Sequence, residues 1–310
     1  TLSPSMILLA VAALLQVAPD DPSSAVHPRR FGSPGGVGVT RGWYIWRSYD
    51  AKTGRAEVAR ERDGDVFTTR VLPWATTYRH LVYGEPVDAL RPGERVNLFF
   101  NPEGKDARAW LVHVQDEIGQ MKGHGHAWRV QEVDPDGRTF VARGMHGEKP
   151  LEGDPTTFTL AAGSRLLGGT APLLAVGRDL YLTWCLEGTR RVVHLASDAA
   201  GLDTLRAEAV ERQRRRVRER GLGGLVEGVD GDRVRFLVFA TDWQPARDLK
   251  VGAAVDLARE DRRIRLRILS TRNLGAYGSG PTELVLEGPE SASRAGSGTS
   301  SGVVRLFPVP

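Results

Sequence analysis

The pattern L-x-x-G-x-x-Φ-x-L occurs three times in this chain, as LRPGERVNL (90–98), LAVGRDLYL (174–182) and LKVGAAVDL (249–257). A repeated corner of this kind limits the fold to a repeated unit. The Leu before the glycine anchors the incoming segment. The glycine supplies a turn conformation that a side chain forbids, with φ > 0 expected at Gly93, Gly177 and Gly252. The apolar residues after it stand two apart and so face one side of an outgoing strand. On that alternation Leu180, Leu182, Trp184 and Leu186 form a buried face, and Asp179, Tyr181, Thr183 and Cys185 a wet one.

The repeat extends outward. WYIWRSYDAKTGRAEVAR (43–60) and AWRVQEVDPDGRTFVAR (127–143) both read as strand, turn, strand, with turns at Lys52-Thr53-Gly54 and Pro135-Asp136-Gly137. Trp43 to Gly93 and Ala127 to Gly177 are equal spans of 50 residues. The third copy opens with LVEGVDGDRVRFLVF (225–239) and reaches Gly252 in only 27 residues from Leu225, so it is short of a strand. Further strands follow each corner at AWLVHV (109–114), RVVHL (191–195) and RIRLRIL (263–269), and TTFTLAAGS (156–164) is an intervening strand. His113 and His194 are read as equivalent places in the last strands. STRNLGAY is read as an irregular exit. With 36 Gly and 18 Pro, many short strands are favoured over long helices. The one clear helix spans Leu202–Arg220, with Asp203 as its N-cap and Gly221 past its end.

The predicted class is mainly all-β. Three tandem small antiparallel OB-like β-barrels are expected, with one long surface helix between barrels two and three. The divisions are 1–25 signal peptide, 26–41 linker, 42–122 barrel one, 123–201 barrel two, 202–221 connecting helix, 222–288 a shortened barrel three, and 289–310 a flexible tail. Two strand-like islands remain near the end. TELVLEG is placed to complete barrel three, and 303–310 is a candidate for strand addition to this molecule or a neighbour. The corners and the hairpin turns D-A-K-T-G, D-P-D-G and V-D-G-D resemble the exported OB-like barrel domains of unknown function found in tandem in bacterial secreted proteins, over residues 42–275. The resemblance implies a signal peptide and β-barrels and carries over no catalytic residues.

Export is also expected from MILLAVAALLQVA (6–18), too short to span a bilayer but suited to a secretory signal, with cleavage after Ala25 and Met6 a candidate start. The single cysteine, Cys185, reads as a buried small hydrophobe. Net charge is only +4, so no polyanionic partner is required by bulk charge.

Three functional readings follow. No G-x-S-x-G, H-E-x-x-H, P-loop or dinucleotide fingerprint is present, so the first is a non-enzymatic binding or scaffold protein of the cell envelope without a cofactor, exported to the periplasm or beyond. Its partner is an envelope protein or polymer. The second is a copper-type metal site in MKGHGHAW, using Met121, His124 and His126 with His146 joining them. The third is an anionic-polymer binder using the basic helix 206–220, through Arg212, Arg214, Arg215, Arg216, Arg218 and Arg220. Export argues against nucleic acid as that polymer. An aromatic platform would come from Trp43, Tyr44 and Trp46. Asp134, Asp136, Glu152 and Asp154 are read as turn residues.

Overall fold

The structure is a computed structural model that describes residues 40–101, 110–169, 172–239, 243–259, 262–274, 281–288 and 304–309. The expected signal peptide, nearly all of the expected linker and the Gly/Ser-rich part of the tail lie outside the described residues. Among the described residues no helix is long and apolar enough to cross a membrane.

The chain is mostly strand. The strands are β1 (Thr40–Asp50), β2 (Arg55–Arg60), β3 (Val66–Arg79), β4 (Val82–Tyr83), β5 (Arg95–Asn101) and β6 (Trp110–Asp116); β7 (His126–Val133), β8 (Thr139–His146), β9 (Lys149–Pro150), β10 (Thr156–Leu167), β11 (Asp179–Glu187) and β12 (Arg190–Ser197); then β13 (Leu222–Asp230), β14 (Arg233–Val238), β15 (Ala254–Arg259), β16 (Arg262–Asn273), β17 (Thr282–Glu287) and β18 (Val304–Pro308). The helices are α1 (Glu117–Gly123), α2 (Gly201–Arg220) and the single turn α3 (Trp243–Ala246). By contact the chain divides into two compact units. One holds residues 38–71 and 77–211, the other residues 72–76 and those from 212 onward.

In the first unit the first sheet runs β2-β1-β5-β6-β3-β4, with β2 also paired to β3. The second runs β10-β12-β11-β7-β8-β9, and β10 returns to β8, which closes it into a barrel. The β10–β12 pair is parallel; the other pairs of that barrel are antiparallel. Its core gathers Phe140, Phe158, Leu180, Leu182, Trp184 and Val193, with Phe140 stacked on Phe158 at 5.5 Å. Fully burying such side chains stabilises by about 1.5–3 kcal/mol each.

β11 corrects the expectation of one wet face. Tyr181, Thr183 and Cys185 are as buried as Leu180, Leu182 and Trp184, and it is Leu186 that emerges. The second face is covered because helices pack on it. Tyr181 lies in a cluster with Ile118 and Met121 of α1 and Leu202 and Leu205 of α2. Cys185 bridges to Glu94 of the first sheet, and its thiol is pushed up to about 12 by burial. It is a free cysteine, and its burial agrees with the reading as a small hydrophobe.

The second unit is a closed six-stranded barrel in the order β13-β14-β17-β16-β15-β18. Its six strand pairings among the described residues are all antiparallel. TELVLEG does supply the missing strand, as β17 between β14 and β16. The last island is β18, which seats itself between β13 and β15 of the same chain. STRN is the end of β16 and no irregular exit.

The three corner glycines have φ of +85°, +83° and +88° at Gly93, Gly177 and Gly252. Each is the third residue of a tight turn closed by Glu94 N–H to Arg91 O, Arg178 N–H to Ala175 O and Ala253 N–H to Lys250 O. That is the type II position where positive φ is required. The corners differ in their partners. Gly93 and Gly177 donate to Trp46 O and Val130 O on the first strands, whereas Gly252 donates to Ile268 O on β16. The third corner is turned to another neighbour because β18 occupies the place beside β15.

Two smaller expectations are corrected. His113 pairs with Phe99, but in the second barrel Leu195 holds the matching place opposite Thr183, and His194 lies at the register shift. The helix α2 begins at Gly201, whose N–H donates to Asp198 Oδ1 at 2.9 Å, so Asp198 rather than Asp203 caps it. Gly221 does end it, at φ +70° with its N–H on Val217 O.

Candidate binding surfaces

His126 and His146 are directly opposed across β7 and β8. Their rings lie 5.2 Å apart, and His124 lies 5.7 Å from His126. Partial burial holds the His126 imidazole below its ordinary pKa, and His146 and His124 push it the same way. Met121 stands apart from this trio in character, since it is buried in the cluster of Ile118, Ala127 and Tyr181. Among the described residues no three His, Cys, Asp or Glu side chains stand in a geometry that holds a metal ion.

The arginines of α2 are displayed outward. Arg212, Arg214, Arg215, Arg218 and Arg220 are exposed and Arg216 is half-buried, while Gln213 and Val217 turn inward. The barrel of the same unit extends this display. In RVRF of β14 and RIRLRI of β16 every second residue is arginine. Val234, Phe236, Ile264, Leu266 and Ile268 are buried, and Arg233, Arg235, Arg263, Arg265 and Arg267 are exposed. Arg265 pairs with Asp256, and Arg263 lies over Phe307 at 4.5 Å. From Arg212 onward the sequence has 18 Lys and Arg against 12 Asp and Glu, a surplus larger than the net +4 of the whole chain.

The first unit holds a differently built surface, a cleft of about 440 Å³ walled by Trp43, Trp128 and Trp184. Its centre is Arg95. The residues after the corner glycine alternate in direction. Glu94 is fully buried and takes a forked bond from Arg79 at 2.9 Å, while Arg95 turns to the cleft. There Arg95 makes a second forked pair, with Glu61, at 2.9 Å for each bond. It reaches Glu117 at 3.3 Å and covers one face of Trp43 with its guanidinium 3.7 Å from the ring centre. Glu117 is placed by α1, whose first turn is capped by Asp116 Oδ1 accepting from Gly119 N–H at 2.7 Å. Trp128 Nε1–H donates to Glu117 Oε1 at 2.7 Å. Burial pushes the Glu117 carboxyl above the usual range, with Arg95 opposing.

The buried Trp184 indole also bonds the Glu117 carboxylate, and this opposes the effect of burial on that carboxyl. Arg191 lies over Trp184 at 5.6 Å. Glu152 and Asp154, expected only as turn residues, line the rim on an exposed loop that Gly153 bends at φ +109°. Of the expected aromatic platform only Trp43 is accessible, since Tyr44 and Trp46 are buried.

No family model matches this chain, and no curated protein matches it.

Proposed function

We propose that this chain is an exported, non-enzymatic binding protein that holds an anionic polymer against the outside of its six-stranded barrel and the basic end of α2. The observation that carries the reading is the outward alternation of arginines on β14 and β16, in the same unit as the exposed arginines of α2. Clustered positive charge on one surface binds polyanions by releasing their counterions, and this binding weakens steeply with salt. Export rests on the apolar run at 6–18, and makes an acidic glycan or another envelope polymer the natural occupant.

The architecture belongs to the same proposal. We read the first sheet and the second barrel as two OB-like units in tandem. In both, the five long strands follow the order first, second, third, fifth, fourth, and in both the short extra strand hangs on the edge. The third barrel is then a rearranged relative, with its third strand supplied late and a sixth strand added.

Retention on heparin tests the binding surface. The protein should stay bound above physiological ionic strength, about 0.15 M, and elute as salt rises. Arg263→Glu with Arg267→Glu, and separately Arg215→Glu with Arg218→Glu, should each elute earlier. Retention unchanged by both pairs overturns the reading.

A further inference from the structure

We propose that the cleft between Trp43, Trp128 and Trp184 is a binding site for a neutral sugar, one or a few pyranose rings of a polysaccharide. The site is separate from the basic surface, and the two can stand or fall independently. Its volume of about 440 Å³ is in the range of small-ligand sites. It is also preformed, because Arg95 is locked between Glu61, Glu117 and the face of Trp43.

Charge decides the ligand class. Arg95 is already neutralised by Glu61 and Glu117. The rim then carries Arg191 against Glu152 and Asp154, which repels an anion. An organic cation on the open face of Trp43 would stand across the ring from the Arg95 guanidinium, which already holds the other face. The protein's own guanidiniums occupy Trp43 and flank Trp184, from Arg95 and Arg191. A neutral polyhydroxylated ring meets neither obstacle. Its hydroxyls can donate to the carboxylates of Glu152 and Asp154, the shape of the acceptors the rim offers. Its C–H face can lie on the uncovered side of Trp43, which is half-exposed and lines the cleft.

Trp184 is 3% exposed and lines the cleft, and its indole is held by the Glu117 carboxylate, so this wall is fixed before any ligand enters. A sugar hydroxyl can donate and accept together, which suits a rim carrying both carboxylates and the Arg191 guanidinium.

Indole N–H signals in ¹H–¹⁵N spectra read the site directly. Cellotetraose, maltotetraose and chitotetraose would be titrated into the whole chain, with choline and a heparin tetrasaccharide as controls. At least one neutral tetrasaccharide should shift the Trp43 and Trp184 indole signals saturably. Trp43→Ala should weaken that binding about tenfold, and Glu152→Gln with Asp154→Asn, on the exposed loop and harmless to folding, several-fold. Unchanged melting temperatures show that the variants fold. If none of the neutral sugars shifts these signals, or only choline or heparin does, or the exposed-loop pair leaves the affinity unchanged, the proposal is wrong. Heparin retention of wild-type protein is the separate readout for the basic surface.

Discussion

The second and third barrels carry the same corner and close in different ways. In the second, β10 precedes the corner in sequence and pairs with β12 in parallel. In the third, the equivalent place between β14 and β16 is filled by β17, which comes after the corner and runs antiparallel to both. β18 is then inserted where the second barrel pairs β11 directly with β7. The turn at Gly177 and the turn at Gly252 are nearly superposable in φ and hydrogen bonding, yet one is tied to the first strand and the other to the next. A local motif therefore fixes the bend of the chain, and the neighbour it meets is settled by whichever strand fills the adjacent slot.

The largest effect should come from removing what distinguishes the third barrel. Ending the chain before Val304 deletes β18 and with it the fully buried Val304 and Leu306. At about 1.5–3 kcal/mol per side chain, plus the lost pairing on both edges, this should unfold the third barrel outright. Hydrogen exchange would show protection lost on β13–β17 and kept on β7–β12. Retained protection on β13 and β15 would mean that β18 is an ornament and the two barrels are more alike than they look.

Next comes the shared core position after the corner. Leu182→Ala and Leu257→Ala both empty fully buried sites and should each cost about 2–5 kcal/mol in chemical denaturation. A much smaller cost at one would show that this barrel collapses around the gap.

The corners themselves should separate. An alanine at Gly177 would meet no atom within 4 Å, so its cost is backbone strain alone, about 1–2 kcal/mol. Gly252→Ala should be similar, with only the tip of Arg267 at 3.7 Å. Gly93→Ala should cost more, because its Cβ would lie 2.8 Å from the Leu186 carbonyl oxygen. D-Ala at Gly177 should be tolerated. Equal costs at all three sites would remove the packing distinction, and an intolerant D-Ala would remove the strain argument.

The smallest effect tests the double burial of β11. Thr183 is 6% exposed, and its hydroxyl has no partner. Thr183→Val keeps the shape and removes an unmet polar group, so stability should hold or rise by up to about 1 kcal/mol. A loss larger than that in a thermal melt would show a partner for the hydroxyl and a wetter face than the packing of α1 and α2 allows.

Much of the strand layout was legible because two signals are local. Asp-Gly and Lys-Thr-Gly turns announce hairpins, and Asp50 and Asp136 do cap their turns through Lys52 N–H and Arg138 N–H. On β14 and β16 the alternation of arginine with apolar residues does coincide with one wet and one buried face. It failed on β11, since period two cannot tell a solvated face from one covered by helices. The cleft was not legible at all. Trp43, Arg95, Glu117 and Trp184 are scattered over 142 positions on four elements, and no spacing rule links them. The one available hint was that Arg95 stands two residues past a corner glycine, on the side of β5 opposite Glu94.

By itself the sequence determined the corners, the hairpins and the basic character of the last third, because each depends on residues within a few positions of one another. Only the tertiary structure decided that β17 and β18 complete the third barrel, that α1 and α2 bury the far side of β11, and that three tryptophans meet around one arginine. Those outcomes depend on which surfaces remain uncovered once the local elements exist. That is a property of packing among distant segments, and no short stretch of the chain encodes it.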